Sequence, residues 1–414
     1  MLTGFLLLSS ALSVLPLSLA AEGGVEKNGS TCRVVPIGGG QDDGPNILSA
    51  LKQCNNGGTI VLDSYYVVNT VLVTDLQDVN IELSGTLQYT PNIAYWSPNS
   101  LFLTYQNATT YWFLSGSNIH LYGGGTLDGN GQVWWDYPNA TIGIAGGSST
   151  DFARPIPLTV GNASNVLIED LTEIGSPFWN NFVYQSTNVT YRNINISTVS
   201  YSTNPTINSD GWDIYRSSYV TIENSTVNND DDCVSFKPNA TNILIRDLNC
   251  LTGDGISVGS LGQYAGETDI VANITAINVN LTNSQNGARI KLFGSSPLAN
   301  STAGGGAGYV KNVTFSNFNV QNTEWPIIID ECFATPVSCS EYPTQLDVSD
   351  ISFTNIAGTS SGTLGTMVVD LNCTSSCTNI TATNIDLTSP AGNATYFCSN
   401  VTSSSLEFDC SGST

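Results

Sequence analysis

Asp230, Asp231 and Asp232 stand side by side in the stretch NNDDDCVSFK, Asn228 to Lys237. Adjacent carboxylates repel, so folding gains nothing from crowding them unless they bind a cation, share a proton or face water. Asp210 and Asp213 precede them in NSDGWD, Asp254 follows in TGDGISVGS, and GARIKLF then supplies Arg289 and Lys291. Those two cations are two residues apart, hence on one face of a strand. A carboxylate group of this kind can hydrolyse a glycosidic bond, one carboxyl protonating the leaving oxygen while another activates water. Repulsion supplies the split, because neighbouring carboxylates do not all ionise easily and one pKa rises. The group can also hold Ca²⁺ through oxygen ligands, or lie in a solvated turn. Asp210 before it and two cations after it favour acid–base chemistry.

The residues that must position these groups recur. NVLIEDL at Asn165, NVTYRNI at Asn188, YVTIENS at Tyr219 and NILIRDL at Asn242 share one pattern, a polar residue followed by alternating β-formers. NITAINV at Asn273, NVTFSNF at Asn312, DISFTNI at Asp350 and NITATNI at Asn379 continue it, and NIELSGT at Asn80 and NIHLYGG at Asn118 look like earlier copies. Self-similarity at this period marks a repeat architecture, and strand-length alternation without leucine-rich or propeller signatures points to stacked coils. The expected fold is all-β: a single-domain right-handed parallel β-helix, with the helical stretch GPNILSALKQC, Gly44 to Cys54, capping its open end. A β-sandwich with similar strand spacing is the competing architecture. In stacked coils Asp210, the triplet and Asp254 fall about 4.8 Å apart along the axis, a carboxylate ladder with Arg289 and Lys291 at one end.

Met1 to Ala20 is an apolar run ending in small residues and reads as a secretory signal peptide, leaving 21–414 as the β-helix domain. About sixteen N-x-S/T sequons, among them Asn107, Asn162, Asn188, Asn239, Asn280 and Asn393, fit a glycosylated extracellular surface. The ten cysteines suit an oxidising compartment. Cys233–Cys250 and Cys398–Cys410 are the preferred pairs, and Cys373 with Cys377 has no partner set to complete a zinc site. A net charge of −23, from 34 acidic and 11 basic residues, argues against nucleic acid and anionic membranes as partners. The single histidine, His120, sits in an early repeat and reads as structural.

NSDGWD, DDDCVSFK, GDGISVGSLGQY and RIK, in that order and spacing, resemble the polygalacturonase family, glycoside hydrolase family 28. The resemblance implies the β-helix fold and hydrolysis of pectin backbones by inversion, without a metal or cofactor. It implies that Asp231 is the general acid, that Asp210 and Asp232 hold the attacking water, and that Asn208, Arg289 and Lys291 belong to the substrate site. Inversion suits carboxyls roughly 6.5–9.5 Å apart. Asp230, outside the family pair, is expected to face solvent. Where the family has G-H-G this chain has Gly253-Asp254-Gly255. Asp254 adds negative charge beside a galacturonate carboxylate, unless it is only a turn residue. ISVGSLGQY and EWPIIIDECF look like the exo-acting fungal members, and Trp325 is a candidate sugar-stacking face.

The leading expectation is therefore a secreted, monomeric exo-acting hydrolase of pectic polysaccharide, releasing galacturonate from non-reducing ends. Cleavage of rhamnogalacturonan is the alternative substrate reading. A Ca²⁺-dependent lyase and a catalytically impaired cell-wall carbohydrate-binding protein are the alternatives of other classes. Retention of the three aspartates and of R-I-K weighs against the last.

Overall fold

A computed structural model describes residues 24–137, 153–402 and 404–411. The signal peptide expected over 1–20 lies outside them. The described chain winds as a right-handed parallel β-helix in which nearly every strand pairs in parallel with strands of the coils before and after it.

Each repeat opens at a left-handed corner. Asn165 (φ 56°), Asn188 (55°), Asn242 (57°), Asn273 (58°), Asn312 (57°) and Asn379 (54°) occupy it, with Tyr219 (56°) and Asp350 (57°) at the equivalent places. A second such corner comes five residues later, at Asp170, Asn193, Asn224, Asp247, Asn278, Asn317, Asn355 and Asn384. Asn and Asp tolerate this backbone region better than other L residues because their short polar side chains bond locally. Here they also bond to one another along the axis. The Asn188 amide donates to Asn165 at 2.8 Å, Asn273 to Asn242 at 3.0 Å and Asn312 to Asn273 at 2.9 Å. In the second row Asn278 donates to Asp247, Asn317 to Asn278 and Asn355 to Asn317, at 2.9, 3.0 and 2.8 Å.

Between the corners the alternation points every second residue inward. Val166, Val189, Val220, Ile243, Ile274, Val313, Ile351 and Ile380 stack in register and are buried. Each such side chain contributes about 1.5–3 kcal/mol by leaving water. Helix α1 (Gly44–Gln53) buries Ile47, Ala50 and Leu51 against the first coils, and Cys32–Cys54 ties down its end. Helix α2 (Ile93–Asn99) was not expected: it is two turns long and carries Pro98 in its last turn, too short for a periodic signal. The remaining disulfides join Cys233 to Cys250, Cys332 to Cys339, Cys373 to Cys377 and Cys398 to Cys410. Among the described residues no helix is long and apolar enough to cross a membrane.

One buried acid sits apart from the groove chemistry. Glu173 is buried with Asn181, whose amide donates to it at 2.5 Å, and burial pushes the carboxyl up to about 8 from 4.5. A carboxyl raised in the folded chain loses stability as pH climbs from the unfolded value to the folded one, here from about 4.5 to about 8. Glu173→Gln is therefore expected to raise the melting temperature at pH 8 by several degrees and to leave it nearly unchanged at pH 4. Calorimetric scans of both proteins at the two pH values check this; an equal shift at both would contradict it.

Candidate active site

The sheet that carries the acidic motifs is built from β1 (Asn181–Tyr184), β2 (Trp212–Tyr215), β3 (Asp232–Phe236), β4 (Gly255–Leu261), β5 (Asn286–Leu292) and β6 (Trp325–Asp330). Trp212, Val234, Ile256, Ala288 and Ile327 stack inward, so Asp213, Ser235, Ser257, Arg289 and Ile328 form the opposite, groove-facing row. Lys237 and Lys291 follow two residues after members of that row. A register shift between Asp232 and Val234 turns Asp232 into the groove, and the Cys233–Cys250 disulfide holds the shift in place.

Adjacent coils bring one oxygen from each of Asp210, Asp231 and Asp232 within 4.8 Å of the others. This is tighter than the roughly 6.5–9.5 Å expected for inversion, because Asp231 and Asp232 are chain neighbours and Asp210 lies one coil away.

Asp210 and Asp232 are buried, whereas Asp231 is partly open. The Asn208 amide donates to Asp231 at 3.2 Å and itself accepts from Arg154 at 2.8 Å. The Asp232 N–H donates to the other Asp231 oxygen at 2.8 Å. Burial and the neighbouring Asp213 and Asp231 push the Asp210 carboxyl well up. Burial pushes Asp232 the same way, but Lys291, Lys237 and Arg289 outweigh it and hold that carboxyl low. Lys291 Nζ lies 2.7 Å from Asp232, whose second oxygen accepts from Ser257 at 2.5 Å. One carboxyl pushed up by burial, one held low by cations and one partly open thus share a single site.

Asp230 is half-buried and lines the groove rather than standing free in solvent. It accepts from the Ser209 backbone N–H at 3.3 Å and from the Ser209 hydroxyl, and burial raises its carboxyl. The turn before β3 folds it against the preceding coil, where Ser209 offers donors. Trp325, half-buried, opens β6 beside Asn286 of the preceding coil. His120 lies among the outer repeats, 2.8 Å from Glu169, which also pairs with Arg192.

Asp254 sits between Gly253 (φ 81°) and Gly255 (φ 76°). A Cβ on Gly253 would stand 2.3 Å from the Asp231 carbonyl oxygen, and one on Gly255 2.1 Å from that of Asn286. Only glycine fits at either place, and together they present Asp254 to Arg289, 3.1 Å away. Burial, then Asp231 and Asp232, raise the Asp254 carboxyl to about 7. Beside it opens a groove of about 450 Å³, lined by Thr206, Asn228, Asp230, Asp254, Asn283 and Gln285 among others, with no cation in its wall.

Several partners are not evident from the motifs. Lys237 is buried 3.0 Å from Asp213 and 3.5 Å from Asp210. Burial works against its charge, but Asp213, Asp210 and Asp232 overcome this and keep it an ammonium. Burial lifts Asp213 itself to about 7. A lysine ending the apolar run CVSFK in so acidic a chain is the signal that could have found it. Arg154 has no such signal: it lies outside the repeats and donates to the carbonyls of Pro177 and Ile207 as well as to Asn208. Burial lowers it to about 10. Phe333 packs its ring under both Arg289 (5.0 Å) and Lys291 (5.3 Å).

A strap, Thr104–Asn107, packs along the carboxyl-terminal ends of β1 and β2 and reaches past β4. Tyr105 stacks on Tyr215 with ring centroids 4.0 Å apart, and Thr104 meets the Tyr184 hydroxyl at 3.1 Å. The Gln106 amide reaches Gln263, beyond β4, at 3.0 Å. Phe178, Trp179 and Phe182 pack beneath it in an apolar cluster separate from the solenoid core.

The family model described as glycosyl hydrolases family 28 matches residues 64–408. The chain belongs to that family. Family 28 relatives include the probable exopolygalacturonase X of Aspergillus fumigatus, 44% identical over 92% of this chain and 88% of its own length. The exopolygalacturonase of Cochliobolus carbonum is 43% identical, over 92% of this chain and 86% of its own length. Among solved family 28 structures, the endo-xylogalacturonan hydrolase from Aspergillus tubingensis superposes with a TM-score of 0.81 at 32% identity, over 92% of this chain and all of the other (100%).

Proposed function

We propose that this family 28 hydrolase is a secreted, monomeric exo-polygalacturonase that releases galacturonate from the non-reducing ends of α-1,4-galacturonan. The strap carries the exo reading. With Tyr105 buried on Tyr215 and Gln106 reaching Gln263, the strap would narrow the cleft, which favours entry of a chain terminus over a polymer running through. Relatives named exopolygalacturonases support the same reading.

In this mechanism Asp231, the accessible carboxyl, protonates the leaving oxygen. Asp232, ionised beside Lys291, takes a proton from the attacking water, and Asp210 fixes that water from the other side. The two transferred protons balance, and solvent returns one from Asp232 to Asp231 after product leaves. Asn208, tied to Arg154, orients the acid. Arg289 and Lys291 supply the positive charge for the uronate carboxylate. Residues 1–20 serve as the signal peptide, and nucleic acid and membranes are not partners.

Product analysis on polygalacturonate tests this. The whole protein should yield galacturonate alone at early times, whereas a variant with Thr104–Asn107 replaced by a short glycine loop should also yield oligomers. Oligomers as the first products of the unaltered protein would overturn the exo reading. Cleavage of rhamnogalacturonan is the second reading, favoured by the cation-free groove beside Asp254, which suits a neutral sugar better than a uronate.

A further inference from the structure

We propose that Asp254 is a specificity-determining residue: ionised, it occupies the Arg289 guanidinium in competition with the substrate carboxylate, and protonated, it releases that guanidinium, so uronate binding strengthens as the medium acidifies. The inference rests on the site being a uronate site.

Three observations carry it. Arg289 Nη1 lies 3.1 Å from Asp254 Oδ2, both groups are largely withdrawn from water, and Arg289 Nε is buried without a hydrogen-bond partner. The guanidinium therefore has one face committed to Asp254 and a donor left over. A planar guanidinium binds a carboxylate best with two parallel N–H groups, so a substrate carboxylate seated there meets the Asp254 charge at close range. Next, the Gln285 amide stands 2.7 and 3.2 Å from the two Asp254 oxygens. An amide turned one way donates to a carboxylate and turned the other accepts from an acid, so the protein supplies a partner for either form. Last, the loop packs so closely on its neighbours at the two flanking glycines that no Cβ fits at either, and this close approach sets Asp254 beside Arg289.

The surroundings of Asp254 set where the change falls. From the preceding coil it faces Asp231, whose carbonyl accepts the Asp254 N–H at 2.8 Å, and Asp232; Asp230 lies across the shared groove. From the following coil it faces Gln285, Arg289 and Lys291, and Asp330 adds its charge to the far side of Arg289. Burial and the two nearer aspartates outweigh the two cations and place the transition near 7, far above an ordinary aspartate. Below that value Asp254 is neutral and Arg289 is available, while a galacturonate carboxylate is still ionised. Binding of the anion then takes up a proton, and affinity changes by at most about tenfold per pH unit, the limit for one linked proton.

Titration calorimetry with D-galacturonate and D-galactose, from pH 5 to 8, tests the inference on the whole protein, on Asp254→Asn and on Asp254→Ser. The unaltered protein should bind galacturonate up to about tenfold more tightly at pH 6 than at pH 8, with proton uptake revealed by paired buffers of different ionisation enthalpy. Both variants should bind it with a flat profile near the acid-limit affinity, and galactose binding should be flat in all three. The same slope and proton uptake in the variants would overturn the role of Asp254. If such an enzyme still releases galacturonate from polygalacturonate, only this inference falls. If the unaltered protein releases no galacturonate and binds none at any pH, the proposed function falls and this inference with it.

Discussion

Asp231→Asn is expected to lower kcat on polygalacturonate by roughly 10²–10⁴-fold, the contribution of a positioned general acid, with KM nearly unchanged. Asparagine keeps the shape of the side chain and can still accept one of the two bonds now made by Asn208 and the Asp232 N–H. What it lacks is a proton to give. The loss should therefore depend on the leaving group. An aryl galacturonide whose phenol leaves without protonation should recover most of the rate in Asp231→Asn, and should not recover it in Asp232→Asn, which lacks the base. Equal losses on polymer and aryl substrate would remove Asp231 from the acid role. Stability is not expected to fall in this variant, since Asp231 is partly open and asparagine fills the same space.

Lys237→Met should have the opposite balance, a large loss of stability with activity lost alongside. The ammonium is buried between Asp213 at 3.0 Å and Asp210 at 3.5 Å, and removing it leaves two buried carboxyls without a counter-charge. Breaking a buried pair in this way costs about 3–5 kcal/mol. The pH dependence follows from the carboxyls. Asp213 already stands near 7, against 3.8 unperturbed, and without Lys237 it rises further. A carboxyl raised in the folded state lowers stability as pH climbs above its unfolded value, so the deficit should be larger at pH 7 than at pH 4. Urea denaturation at the two pH values measures it. Adding Asp213→Asn to Lys237→Met should restore part of the loss at pH 7. A deficit independent of pH and untouched by the second change would show that Lys237 acts by packing on Trp179, 5.5 Å away, and not by charge.

The solenoid is legible in the sequence because each coil needs the same residues at the same places. An Asn or Asp at a left-handed corner, two inward β-formers and a second polar corner leave a trace wherever they recur, and Tyr219 departs from it at only one corner. The carboxylates are legible for a related reason: stacked coils convert sequence period into spatial adjacency. Asp254 shows itself through the two glycines that its backbone requires. What escaped lies off the period. Arg154 and the strap at Thr104–Asn107 belong to segments outside the repeats, and they reach the site only through contacts spanning large sequence distances, 157 residues for Gln106 to Gln263. The bonds from Ser209 of the neighbouring coil that hold Asp230 at the groove edge are likewise invisible in a run of aspartates. The nearest oxygens of Asp210, Asp231 and Asp232 stand closer than the spacing expected for inversion, because Asp231 and Asp232 are chain neighbours and Asp210 lies one coil away.

The two rows of corner residues have a consequence for how this chain can vary. Steps along the first row vary between 23 and 39 residues, yet the interval from first corner to second is always five. All the variation in coil length falls on the remaining arc, the one that carries β1 to β6 and the loops flanking the groove. The asparagine side thus behaves as a fixed spine, setting the height of every coil regardless of what is inserted opposite. A loop on the groove side can lengthen, shorten or be exchanged while Asp210, Asp232 and Lys291 keep their mutual offsets. End walls and subsites are free to diverge around a catalytic centre whose dimensions are fixed from behind.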